Sequence, residues 1–139
     1  MTEGDLMVAE ARKWLGVRWR HQGRSRRTGV DCVGLCLMVA RGLGVTVADI
    51  TTYPRRHDGS LLRLYLDQRL TATGRYQPQQ GDVALFRDNG FAVHVGFIGA
   101  GAAGALTVIH AHARRRQVIE EDLSTFGVPI ALYKLKEAL

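Results

Sequence analysis

Apolar positions recur at helical spacing early in the chain and alternate residue by residue later, which divides it into a helical first half and a strand-rich second half. In "MTEGDLMVAEARKWLG", Met7, Ala11, Trp14 and Leu15 share one face at i, i+4, i+7 and i+8, and Gly16 follows where a helix C-cap sits. This spacing predicts an amphipathic first helix. From Cys32 to Ala40 the chain is apolar almost all round, with Asp31 at the N-cap position and Gly42 and Gly44 beyond. That pattern predicts a short, deeply buried helix. A third helix is expected after Asp58, burying Leu62, Tyr65, Leu66 and Leu70.

Beyond Pro78 the texture changes to short runs rich in β-branched and aromatic residues: "GDVALF", "FAVHVGFI", "LTVIHAHA", "RQVIEE" and "PIALYKL". Gly, Asn or Arg separates them, as in strands joined by turns. Helices followed by a block of strands predict an α+β domain, with the buried helix packed on a small, largely antiparallel sheet of about five strands. "GAGAAGA", from Gly99 to Ala105, reads as a flexible loop. A length of 139 residues suits a single domain spanning 1–139.

Composition narrows the class. The chain is 46% hydrophobic and 23% charged, the balance of an ordinary globular protein, and no apolar run approaches the roughly 20 residues a membrane span needs. The amino terminus carries acids and lacks the basic-then-apolar order of a secretory signal. The formal net charge of +6 favours an anionic partner. A nucleic-acid role would rest on charge alone, because zinc-finger spacing is missing and 7% aromatic content makes a poor stacking platform. No nucleic-acid partner is expected.

Both cysteines, Cys32 and Cys36, fall on the second helix four residues apart, where a regular helix does not bring their Cβ vectors together. Both read as free thiols. Cys36 reads as core filling, whereas Cys32 directly follows the Asp31 N-cap, so its sulfur is expected at the positive end of the helix. That end and a nearby imidazolium would both favour the thiolate, and the same N–H groups would receive an oxyanion.

Alternation selects the histidine. If "FAVHVGFI" and "LTVIHAHA" pair as a hairpin, matching Ile98 with Leu106 and Gly96 with Val108 sets His94 opposite His110 on one face. Cross-strand Cβ atoms lie about 5 Å apart, within reach of a hydrogen bond between the rings. Cys32, His94 and His110 then supply nucleophile, base and orienter. His112 shares the strand face and rivals His110, while His21 and His57 read as ordinary satisfied histidines. A metal site on Cys32 and the two histidines lacks a fourth ligand at any suggestive spacing.

"DCVGLC", "GDVALF" with "HVGFI", and "VIHAHA" resemble, in order and spacing, the three blocks of the NlpC-type cysteine peptidases that cut bacterial cell-wall peptides. The match runs from about Gly16 to Asp122. The resemblance implies a minimal papain-like fold, with Cys32 as nucleophile, His94 as general base and His110 as third polar residue. It implies a mechanism without metal or cofactor, and cleavage between D-glutamate and the diamino acid of the peptidoglycan stem peptide. "GVRWRHQG" and the short length are most similar to enzymes encoded with phage tails and gene transfer agents. Such an enzyme needs no signal peptide, is carried on a particle with tail proteins as partners, and acts in the periplasm or cell wall.

The family usually has Tyr where this chain has Trp19, whose indole N–H would have to replace a hydroxyl near the oxyanion, and often Ser where this chain has Val33. Candidate substrate-binding residues are Trp19, Gln22 and Asp31, with Arg24, Arg26 and Arg27 of "GRSRRTG" near the cleft if the triad assembles, where a guanidinium could bind the free carboxylates of a wall peptide, although for most of these arginines plain solvated loop charge is the expected reading. Arg114 to Arg116 lie near the cleft by the same reasoning. Two other readings use the same residues: a thiol amidase or acyltransferase on another amide, and a tail component that binds wall without turnover.

Overall fold

The computed structural model describes residues 2–50, 53, 60–88 and 91–135. Helix α1 (Glu3–Arg12) begins at Thr2, whose hydroxyl oxygen accepts from the Asp5 N–H at 3.0 Å while the Asp5 carboxylate accepts from the Thr2 N–H at 2.9 Å. Two otherwise orphaned donors are thus satisfied reciprocally. Met7, Ala11 and Trp14 are buried, as the pattern requires, and so is Val8, but Leu15 is 41% exposed. The helix stops at Arg12 and the chain turns through Gly16 at φ 84°, so helical spacing no longer governs where Leu15 points.

A two-stranded ribbon, β1 (Arg24–Ser25) with β2 (Gly29–Val30), leads into α2 (Cys32–Gly42). Asp31 caps α2 by accepting from the Gly34 N–H at 2.8 Å, and Val33, Leu35, Cys36, Leu37, Val39 and Ala40 are buried along it. Helix α3 (Ser60–Arg69) buries Leu62, Tyr65 and Leu66. His57 and Asp58 lie outside the described residues.

The five expected strand runs are all present: β4 (Val83–Asp88), β5 (Phe91–Ala100), β6 (Leu106–His112), β7 (Gln117–Asp122) and β8 (Ala131–Leu135). A sixth, β3 (Leu70–Ala72), joins them, so Leu70 is buried from a strand and not from the helix. The sheet order is β3-β8-β4-β5-β6-β7, with antiparallel neighbours throughout. Val83, Leu85, Val95, Phe97, Ile109 and Tyr133 share one core with the buried residues of α1, α2 and α3. Ala84, Phe86, Ile98, Val108 and Leu132 form the core of the other face beneath Leu123 and Phe126 of the short helix α4 (Leu123–Phe126).

The β5–β6 register differs from the expected one. Ile98 pairs with Val108 and Ala100 with Leu106, a displacement of two residues, because Gly99 and Ala100 continue the strand and the turn closes on residues 101–105. Gly101 N–H to the Ala105 carbonyl, 2.8 Å, seals that turn. Side chains alternate with period two, so an even displacement leaves every residue on its expected face. Among the described residues, no helix is long and apolar enough to cross a membrane.

Candidate functional site

The start of α2 meets β5 at Val95, and His94 and His110 project from β5 and its neighbour β6 on the face that carries α4. The Asp31 cap does more than end a helix: its carboxylate also accepts from the Gln22 backbone N–H at 2.7 Å, the Tyr53 hydroxyl at 2.6 Å and the Arg24 guanidinium at 3.2 Å. Gln22 takes φ 56° to present its N–H, and its side-chain amide donates to the Tyr53 carbonyl at 2.9 Å. Arg24 further donates to the Tyr53 hydroxyl and to the Ile50 and Gly23 carbonyls, and it pairs with Asp49 at 3.1 Å. This network fixes the loop ahead of Cys32 at the first turn of α2. Gly34 reinforces it, since a Cβ there would overlap the Gly23 carbonyl oxygen.

Cys32 is half-buried, with the backbone N–H groups of Val95 and Val33 directed at its sulfur. The paired residues of β5 and β6 begin at Phe97 and Ile109, which leaves the Val95 amide beyond their ladder. The expected thiolate is not the resting form. Burial, with the Asp31 carboxylate adding to it, pushes the Cys32 thiol up to about 12 against the partial relief of those N–H groups. Cys36 is a buried free thiol, also raised to about 12 by burial.

His94 and His110 meet, although not as direct cross-strand partners. With the register displaced, Gly96 lies across from His110, where a Cβ would come within 3.0 Å of the His110 Cβ. His94 reaches His110 diagonally, Nε2 to Nδ1, at 2.8 Å. A bulge in the β4–β5 pairing at Phe86, the residue opposite His94, accompanies this placement. His110 is fully buried, and its Nε2 lies 2.7 Å from Glu121 Oε2 on β7. The Phe126 ring covers both imidazoles, with centroid distances of 5.4 Å to His94 and 4.5 Å to His110.

Burial, then the neighbouring His110 and His112, push His94 down to about 3. Burial also holds His110 below the ordinary histidine value, against the opposing pull of the Glu121 hydrogen bond and charge. The His112 ring stands 5.2 Å from that of His110, on the same face.

The remaining candidates divide. Trp19 bridges to Val30 and packs against the core that holds Cys32, with the Arg116 guanidinium 5.3 Å from its ring. Arg24, Gln22 and Asp31 are joined to one another in the network above, so Arg24 braces the loop from within. Arg26 donates to the Lys13 carbonyl at 2.7 Å and lies over the Trp14 ring, while Arg27 is exposed. Sequence reasoning missed Tyr53, which sits in a stretch without periodicity. It also missed Glu121, one of three consecutive acids in "QVIEED" that the sequence alone does not tell apart. Among the described residues, no group of three His, Cys, Asp or Glu is arranged to hold a metal ion.

A helix-start cysteine set against an antiparallel sheet that carries paired histidines, with α1, α2 and α3 on one face and the short α4 on the other, defines the papain-like α+β class. The NlpC/P60 family model matches residues 16–129, and the chain belongs to that family. Its structure is similar to the NlpC/P60 domain of the peptidoglycan hydrolase SagA, at 23% identity and TM-score 0.66, covering 95% of this chain and 98% of that one. It is similar to an NlpC/P60 family protein from Bacillus cereus, at 21% identity and TM-score 0.68, covering 95% of this chain but only 40% of that one. RipD from Mycobacterium tuberculosis, a non-catalytic NlpC/p60 domain protein adapted to peptidoglycan binding, matches at 15% identity and TM-score 0.59, covering 96% and 98%. At these identities the likeness speaks for the fold. No curated protein matches the chain.

Proposed function

We propose that this protein is a thiol endopeptidase of the peptidoglycan stem peptide, with Cys32 as nucleophile, His94 as base and His110 as orienter. The observation that carries the reading is the hydrogen-bonded His94–His110 pair, with the Cys32 sulfur held at the amide of the residue following His94. Family membership supports cell-wall hydrolysis as the setting. The D-glutamyl to diamino acid bond and the association with phage tails or gene transfer agents rest on the sequence resemblance.

With thiol and imidazole both neutral at rest, attack and proton transfer are coupled: sulfur bonds to the amide carbon as its proton passes to His94. His94 then gives that proton to the departing nitrogen as the carbon–nitrogen bond breaks. Water, deprotonated by the same imidazole, hydrolyses the thioester and restores the thiol. Cys32 and Val33 occupy the first turn of α2, where N–H groups have no helical partner, and the amide of Cys32 suits a developing oxyanion. The exposed Arg18, Arg20 and Arg114 to Arg116 give the surrounding loops a basic rim suited to stem-peptide carboxylates.

Incubating the protein and Cys32→Ala with defined stem peptides tests the reading by mass spectrometry. One cleaved bond is expected with the wild type and none with the variant. Equal cleavage by both, or none by either, overturns it. The latter outcome would favour a wall-binding role of the kind RipD has.

A further inference from the structure

We propose that Glu121 is a positioning residue, the far end of a hydrogen-bonded line that determines which ring nitrogen of His94 is free to accept a proton. The catalytic consequence rests on the peptidase reading above; the line itself does not. A carboxylate oxygen only accepts, so the 2.7 Å contact between Glu121 Oε2 and His110 Nε2 requires the proton on that nitrogen. A neutral imidazole carries one N–H, and the opposite His110 nitrogen, Nδ1, is then a bare acceptor. The 2.8 Å contact from His110 Nδ1 to His94 Nε2 accordingly makes His94 the donor. His94 is left with Nδ1 unprotonated. The reverse assignment would set lone pair against lone pair at the carboxylate.

The register of β7 explains why Glu121 and no other acid does this. Val108 pairs with Glu121 and His110 with Ile119, so Glu121 stands diagonal to His110 just as His94 does from the other side. Glu120 belongs to the opposite face, where Arg12 and Thr107 hold it at 2.8 Å and 2.6 Å. Among the described residues, the groups that face His110 are His94 from β5, His112 on its own strand, Glu121 from β7 and the uncharged Phe126 ring from α4. Glu121 is the anion among them. When His94 takes a proton during turnover, that charge offsets the new cation through a buried ring, where screening by water is weak.

The test uses the whole protein with 15N-labelled histidine, in wild type, Glu121→Ala and Glu121→Gln, read by NMR tautomer assignment and by stem-peptide kinetics. At neutral pH both His94 and His110 are expected as Nε2–H tautomers in the wild type. Glu121→Ala is expected to mix or reverse the tautomers and to lower kcat by roughly 10- to 100-fold with little change in KM, the size of loss seen when the carboxylate that orients a metal-binding imidazole is removed. Glu121→Gln keeps the shape and an acceptor oxygen, so it should hold the tautomers and lose less turnover. An Nδ1–H tautomer at wild-type His110, or unchanged tautomers and kcat in Glu121→Ala, overturns the proposal. Wild type with the derived tautomers, shifted by Glu121→Ala, but with no hydrolysis would remove the peptidase reading and keep the positioning role.

Discussion

Cys32 sits between opposing influences. The start of α2 and the Val95 and Val33 N–H groups favour a thiolate, while burial and the Asp31 carboxylate oppose it. A helix terminus contributes about 0.3–1 kcal/mol at ordinary exposure, less than one pKa unit, and burial outweighs it here. The proton therefore rests on sulfur at neutral pH. We predict that iodoacetamide modifies Cys32 slowly at pH 7 and about tenfold faster for each pH unit up to 10, since thiolate is the reactive form. A rate that levels off near neutrality would show a preformed thiolate. The placement of Cys32 at the start of α2 and the meeting of His94 with His110 were legible because an Asp N-cap precedes the thiol and because alternation assigns both histidines one face. Glu121 was not: it is one of three consecutive acids, and only the strand register says which of them turns toward His110.

At the scale of elements, the helix starts, strand runs and sheet faces were readable, whereas junctions were not. Leu70 continues the helical spacing of α3 yet opens β3, because the edge of β8 offers it a partner, Leu135, that lies far away in sequence. The β5–β6 register likewise depended on turn geometry, and the His94–His110 contact survived a two-residue error because the error was even. Gly96 makes the diagonal contact spatially feasible. A Cβ there would meet the His110 Cβ and Val108 Cγ2 at 3.0 Å and the Ile109 carbonyl oxygen at 3.1 Å, none of them the end of a flexible chain. We predict that Gly96→Ala destabilises the protein by about 1–3 kcal/mol and lowers turnover by displacing His110 from His94. Gly101→Ala, whose nearest contact would be an ordinary 3.5 Å, serves as control. Denaturant unfolding and stem-peptide kinetics on both variants measure this, and wild-type stability and turnover in Gly96→Ala would refute it.

For the molecule as a whole, the buried histidines tie folding to acidity. An unfolded histidine titrates near 6.5, whereas folded His94 is pushed down to about 3 and folded His110 lies below its ordinary value. Between these limits the unfolded chain binds protons that the native state refuses, so stability falls as pH falls, by up to about 1.4 kcal/mol per pH unit for each such histidine. Carboxylates act in the same direction but later. Hydrogen bonds from Thr2 hold Asp5 below 3.8, and the Arg12 bond holds Glu120 below 4.5, so their contributions are lost only as pH drops beneath those unfolded values. The interval from about pH 6.5 to 4.5 therefore isolates the histidines. We predict a steady decline in the urea midpoint of the wild type across that interval and a visibly shallower decline in His94→Gln, which has one fewer group to charge on unfolding. Parallel slopes in the two proteins would mean that His94 is as easily protonated folded as unfolded, contrary to an imidazole confined between Phe86, Phe126 and His110.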